Sequence, residues 1–225
     1  RDRYNTHVAP NAVSGKNYAL GLKEDGTIWT WGYDASGLAD SNVPVSTNVI
    51  STYNSISAGK NYALATRKDG TAWAIGSNNY GQLGIGSYES KAKLVQIEGL
   101  TDITSISAGE THSIALDSYG TVYGWGSNAN GELSSKYIGK DTSKPVVISM
   151  PRDTIIQISA GKGESAFVTT NGQVYGMGKI LNGYIPGVTN AVKVEVGTNY
   201  LLILRADGTI YKYQDGKLSQ VSNIK

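Results

Sequence analysis

Internal repetition constrains this chain more than any other feature. Val13-Ser14-Gly15 opens one unit. Ile56-Ser57-Ala58-Gly59, Ile106-Ser107-Ala108-Gly109 and Ile158-Ser159-Ala160-Gly161 open three more, and Val194-Glu195-Val196-Gly197 opens a fifth. Eleven residues after each of these glycines stands another: Gly26, Gly70, Gly120, Gly172 and Gly208. Six further on come Gly32, Gly76, Gly126 and Gly178, with Gln214 breaking the pattern in the fifth copy. The opening glycines are 44, 50, 52 and 36 residues apart. The repeat cores span 13–32, 56–76, 106–126, 158–178 and 194–214, so all the length variation falls in one segment per unit, after the third glycine. A fixed core recurring at intervals of this size means one supersecondary unit stacked several times.

The units read as strands. In the third, Asp102–Ala108 is a short strand, Gly109-Glu110-Thr111 a turn, His112–Leu116 a second strand, Asp117–Gly120 a tight turn and Thr121–Trp125 a third strand. Sister turns carry Glu24-Asp25-Gly26, Lys68-Asp69-Gly70, Asn171-Gly172 and Ala206-Asp207-Gly208. Asp-Gly and Asn-Gly supply the positive φ angles of two-residue hairpins, so such hairpins are predicted here. Lys93–Ile97 and Pro145–Ile148 supply a fourth, outer strand, where a proline is tolerated at the sheet edge. Strand three is apolar almost throughout, as in Ile28-Trp29-Thr30-Trp31, which predicts burial on both faces. Small sheets packed face to face around an axis satisfy all of this. The predicted fold is all-β: a single β-propeller domain over residues 1–225, built from four-stranded antiparallel blades.

Composition removes several alternatives. The chain has no cysteine, which excludes disulfides, thiolate catalysis and thiolate-held zinc. Its 20 Lys and Arg against 18 Asp and Glu are scattered, and Lys136, Lys140 and Lys144 form no dense stripe. No nucleic-acid partner is expected, because phosphate binding needs clustered charge. No apolar run approaches the ~20 residues of a membrane-spanning helix, so no membrane insertion is expected. The first residue is Arg1 and no leader-like segment follows, which points to a removed leader or a piece of something longer. The uneven repeats, the Tyr and Asn content and the missing cysteines suggest a bacterial chain that is exported or held at the cell surface.

The repeat resembles that of the regulator of chromosome condensation family. The resemblance runs through Ala108-Gly109 with His112-Ser113, then the Asp-Gly turn followed by Val or Ala and an aromatic. It continues through Gly76-Ser77-Asn78-Asn79-Tyr80-Gly81-Gln82-Leu83-Gly84 and, closely, Gly126–Leu133. Five phased copies cover the chain from about Val8 to Ile224. The resemblance implies a seven-bladed propeller, whereas this chain shows five units. It is either a complete small ring or part of a larger propeller. The outer strand at Lys217–Val221 and the direct entry from His7-Val8 allow the two ends to share a blade. The resemblance also implies partner-binding branches, among them β-lactamase inhibitors and an exchange factor for a small GTPase.

Strand direction alternates through a unit, so the turn after strand one and the loop after strand three share a face. That face carries Lys16-Asn17, Lys60, Asn61, Glu110-Thr111, Lys162, Tyr33, Asp34, Asn78, Asn79, Tyr80, Asn128 and Asn130. The candidate partner-binding residues are Tyr33, Asp34, Lys60, Asn61, Asn79, Tyr80, Glu110, Asn128 and Asn130. Variable loops on a rigid scaffold are where recognition concentrates. An asparagine beside glycine also serves its own turn, so the tyrosines are the better candidates.

Catalysis finds little support. His112 fills a repeat slot that sister units fill at or near Tyr18, Tyr62, Ser165 and Tyr200, which reads as packing plus a hydrogen bond. His112 and Ser113 are strand neighbours and point to opposite faces. His7 lacks local partners. Gly76–Gly81 and Gly126–Gly131 have half of a phosphate loop's spacing, but Gln82-Leu83 and Glu132-Leu133 stand where Lys-Ser or Lys-Thr is needed. Glu24-Asp25 lies in a solvated turn. Trp29, Trp31, Trp73 and Trp125 read as core. No cofactor or metal is expected. The leading reading is a non-catalytic module for a protein partner, with a glycan or cell-surface ligand as the alternative.

Overall fold

The computed structural model describes residues 8–34, 37–47, 52–151 and 153–222. His7 lies outside them. It forms five four-stranded antiparallel sheets, each ordered as the strands occur in sequence. The first blade is β1 (Asn11–Ser14), β2 (Tyr18–Leu22), β3 (Ile28–Tyr33) and β4 (Asp40–Ser46). The second is β5 (Tyr53–Ala58), β6 (Tyr62–Arg67), β7 (Ala72–Gly76) and β8 (Lys91–Gln96). The third is β9 (Ile103–Ala108), β10 (His112–Asp117), β11 (Val122–Gly126) and β12 (Thr142–Val147). The fourth is β13 (Ile155–Ala160), β14 (Glu164–Thr169), β15 (Val174–Gly178) and β16 (Asn182–Tyr184). The fifth is β17 (Ala191–Val196), β18 (Leu201–Arg205), β19 (Ile210–Gln214) and β20 (Lys217–Gln220).

The first strand of each blade lines a central shaft of about 530 Å³, walled by Ser57, Ser107 and Ser159 among others. Successive blades pack face to face: β5 on β1 and β2, β9 on β5 and β6, β13 on β9 and β10, β17 on β13 and β14. No interface of comparable extent joins β17–β20 to β1–β4 among the described residues. Among the described residues each end blade has four strands of its own, and no sheet combines strands from the two ends of the chain.

The core consists of four apolar clusters, one between each pair of neighbouring blades. Strand two divides its side chains between them. Tyr62 and Leu64 enter the cluster with the third blade, while Ala63 and Ala65 enter the cluster with the first. Ile114 and Leu116 face the fourth blade, and Ala115 faces the second. Large residues on one sheet face thus meet small ones on the next, which lets the layers interdigitate at close packing. Strand two, buried throughout in β10 and β14, is therefore the doubly buried strand. The expectation for strand three is corrected in the first blade, where β3 alternates buried with half-buried residues, whereas β7 and β11 are buried at every position but Trp73 and Tyr123.

The tight turns also differ from expectation. At the first, the Gly26 N–H donates to Lys23 O and the Lys23 N–H to Thr27 O, both at 2.9 Å. Gly26 has φ +80°, and no positive φ occurs at Asp25. This is a three-residue loop, a type I turn closed by a left-handed glycine, rather than a two-residue hairpin. The aspartate serves as an acceptor: Asp25 Oδ1 takes the Thr27 N–H at 3.0 Å and the Thr27 hydroxyl at 2.6 Å. Asp69 and Asp207 do the same with Thr71 and Thr209. Among the described residues the two-residue form appears once, between β19 and β20, where Asp215 and Gly216 have φ 52° and 74° and Gln214 pairs with Lys217. That hairpin stands where the second and third blades have long loops, and it accounts for the broken glycine pattern at Gln214.

Candidate functional site

The turn after strand one places one residue from each of four blades around the mouth of the shaft: Lys16, Lys60, Glu110 and Lys162. Their backbones are chained across the blades. The Lys16 N–H donates to Lys60 O at 2.9 Å, the Lys60 N–H to Glu110 O at 3.4 Å and the Glu110 N–H to Gly161 O at 3.1 Å. Glu110 bridges two lysines, with Lys60 Nζ at 3.0 Å from one oxygen and Lys162 Nζ at 3.7 Å from the other. The repeated Ala-Gly pairs beneath leave room for a funnel of about 490 Å³.

The loops after strand three reach the same face. In the second blade, buried Asn78 organises the loop. Its Oδ1 accepts the Leu83 N–H at 3.0 Å, and its Nδ2 donates to Ser87 O at 2.8 Å and Glu89 O at 3.0 Å. Gln82 Oε1 accepts the Tyr80 N–H at 2.9 Å. The third blade repeats this. Asn128 Oδ1 accepts from Leu133 and Ser134, its Nδ2 donates to Ser134 O and Tyr137 O, and Glu132 Oε2 accepts the Asn130 N–H at 2.7 Å. The Asn-x-x-Gly-Gln-Leu motif is thus a loop-building device. It buries the first asparagine and leaves Asn79, Tyr80 and Asn130 exposed at the tips.

Six of the nine sequence-predicted residues meet in one groove of about 400 Å³ between the second and third blades: Lys60, Asn61, Asn79, Tyr80, Glu110 and Asn130. Tyr33 and Asp34 lie outside it on the first blade, with Tyr33 60% exposed and its N–H donated to Asn17 O. Asn128 is corrected as a surface candidate: it is 2% exposed and its amide is consumed by its own loop. Sequence could not separate it from Asn79, because its partners stand five to nine residues away.

Beneath the face runs a row of blade-to-blade bonds. The Tyr18 hydroxyl donates to Gly59 O at 2.7 Å and also contacts Tyr62 O. The Tyr62 hydroxyl donates to His112 O at 2.5 Å. His112 Nε2 lies 2.9 Å from Ser165 Oγ, which donates to Glu132 O at 2.8 Å. His112 is fully buried, and burial pushes its pKa down to about 4, so the ring is neutral. It is a packing residue with a hydrogen bond. Ser113 donates to Gln82 O at 2.7 Å and is equally committed. The fourth occupant of this row is Glu164, three residues past Gly161, and not Ser165. Glu164 is buried, which raises its pKa, and it accepts the Ile180 and Leu181 N–H groups. Counting from the opening glycine would have found it.

A family profile described as Regulator of chromosome condensation (RCC1) repeat matches residues 69–116 and 119–168. A second profile of the same description matches residues 53–82 and 103–132. Among solved structures, human WBSCR16 superposes with a TM-score of 0.85 at 14% identity, over 94% of this chain and 66% of that one. Prp20p from Saccharomyces cerevisiae, a protein with binding properties towards Gsp1p and histones, gives 0.83 at 18% identity, over 95% and 63%. Yeast RCC1 (Prp20) bound by Kap60 gives 0.77 at 19%, over 90% and 55%. The chain thus spans less than two thirds of the length of these structures. No curated protein matches it in sequence.

Proposed function

This chain belongs to the regulator of chromosome condensation repeat family, and from that premise we propose that it is a non-catalytic binding module whose loop face docks a protein partner. The observation that carries this reading is the groove between the second and third blades. Loops from two blades, each braced by a buried asparagine, converge there and hold Tyr80, Asn79, Asn130 and Lys60 around one opening. Exposed tyrosine and asparagine on braced loops give contact area and adaptable hydrogen bonds at low ordering cost. Protein binding by Prp20p agrees with a propeller face as a docking platform.

The non-catalytic part of the reading rests on how the reactive side chains are used. His112 and Ser113 are buried and bonded into the blade interfaces. The test is affinity capture with mass spectrometry, run beside the Tyr33→Ala/Tyr80→Ala double variant. A protein retained by the wild type and lost by the variant is the expected result. Equal retention by both moves the site to another surface and overturns the proposal.

A further inference from the structure

Resting on that reading, we infer that the partner contributes an acidic side chain to the mouth of the shaft, seated between Lys16 and Lys60. The mouth shows what it accepts. Glu110 occupies the third-blade position and is held by the lysines of both neighbouring blades, at 3.0 and 3.7 Å. One step round the ring, the first and second blades place two lysines side by side at the same repeat position. Their backbones are joined by the 2.9 Å bond from Lys16 N–H to Lys60 O. Lys16 is exposed and has no carboxylate partner among the described residues. Lys60 already shares Glu110, and Lys162 remains 71% exposed at its side chain. Two ammonium groups hold the one carboxylate, and Lys16 lines the same mouth without an acid of its own among the described residues.

Like charges at neighbouring positions raise the local potential and draw in an anion. The funnel floor offers contact to the aliphatic part of an acidic side chain. It is made of Gly15, Ala58, Gly59, Ala108 and Gly109, small residues that offer apolar contact to methylenes and no competing charge. The adjoining groove carries Tyr80, Asn79 and Asn130, which suit the flanking residues of a protein loop. An Asp or Glu at a loop tip thus meets charge at the mouth and uncharged polar contacts beside it. The scattered lysines elsewhere on this face give no extended phosphate track, which favours an acidic protein loop over a nucleic acid.

The experiment uses three probes with the full chain: a fluorescein-labelled cyclic peptide with an Asp-Glu-Asp tip beside a tyrosine, its Asn-Gln-Asn counterpart, and inorganic polyphosphate. Fluorescence anisotropy reads the two peptides, and competition reads the third. The acidic peptide is expected to bind, to lose about tenfold in affinity with Lys16→Gln, and to weaken with added salt. Glu110→Gln, which removes the resident competitor, is expected to tighten it. Equal binding of both peptides, or indifference to both substitutions, overturns the inference. Polyphosphate displacing the peptide at far lower concentration also overturns it, in favour of a phosphate ligand. A captured protein that needs Tyr80 but ignores Lys16 and Glu110 would overturn this inference alone and leave the docking face intact.

Discussion

The two ends of each blade are built on opposite plans. At the Asp-Gly end, one short turn recurs and satisfies itself. Asp25, Asp69 and Asp207 bond their own threonines, and Thr27 and Thr71 in turn accept the indole N–H groups of Trp29 and Trp73. At the other end, loops of unequal length are braced from inside by Asn78 and Asn128 and bonded across blades, and they leave polar and aromatic tips over. A turn that uses up its own polar groups has little left for a partner. A loop braced from beneath holds its tip residues in place for one. The contrast is one of hydrogen-bond accounting, and substitution can test it.

At neutral pH the largest effect should come from removing a brace. Asn78→Ala strips partners from the Leu83 N–H and from the carbonyls of Ser87 and Glu89, all tied to a buried site. Leaving the buried Leu83 N–H unpaired, with the loss of the two carbonyl contacts, is expected to cost about 2 kcal/mol, read as a shift in the urea midpoint. Asn128→Ala should match it. If either variant unfolds like the wild type, the motif is not the brace and the contrast fails.

Acid separates the two ends next. His112, beneath the loop face, has its folded pKa pushed down to about 4 by burial, against about 6.5 when unfolded. Between these values the unfolded chain binds more protons than the folded one. Stability from a neutral His112 is therefore complete above about pH 6.5 and is lost as pH falls towards 4, by up to about 3 kcal/mol. Burial raises Glu132 and Glu164, which acts in the opposite sense: the cost of their charge is relieved as pH falls. His112→Tyr installs the residue that Tyr62 shows to fit this slot and removes the histidine contribution alone. The difference between variant and wild type from pH 7 to 4 is expected to grow in the variant's favour. A constant difference would show that the buried ring does not titrate with folding.

The Asp-Gly end should respond later and less. Hydrogen bonds from Thr71 hold Asp69 below the ordinary carboxylate range, so its contribution persists above the unfolded value and is lost only as pH falls through the lower folded one. Asp69→Asn, which keeps the shape, is expected to cost markedly less than Asn78→Ala and to alter only the most acidic part of the profile. A loss as large as the brace variant's would show that the turns, too, carry buried strain.

How far these differences were legible follows from where the partners stand. Phased glycines and alternating apolar residues mark strands one to three in every unit, and Lys93–Ile97, Pro145–Ile148 and Lys217–Val221 mark three outer strands because each holds closely spaced apolar residues. The outer strands at Asp40–Ser46 and Asn182–Tyr184 were not visible. The first is mostly exposed around Pro44 and the second has only three residues, so neither carries a burial pattern. The turn type was missed because Asp-Gly suits both a two-residue hairpin and a three-residue loop, and the extra residue shows only in the bond from Lys23 to Thr27. Tyr80 and Asn79 were legible as tips because nothing in their own turns required them. Asn128 was not, because its bonds close over distances that local patterning does not record.

The smallest effect on stability, and the sharpest for function, comes from two exposed tyrosines at opposite ends. Tyr80 stands on a braced loop and is 45% exposed; Tyr119 stands in the third-blade Asp-Gly turn and is 77% exposed. Neither hydroxyl has a hydrogen-bond partner among the described residues, so each alanine substitution should change stability by less than about 0.5 kcal/mol. If exposure alone made a tyrosine a contact, Tyr119→Ala would be the more damaging to binding. If the bracing decides, Tyr80→Ala will abolish capture of the partner while Tyr119→Ala leaves it whole, because only the Tyr80 tip is held beside Lys60, Asn79 and Asn130 before the partner arrives. A partner lost equally from both would need to span the blade from end to end along its rim, and the distinction between the two faces would no longer hold.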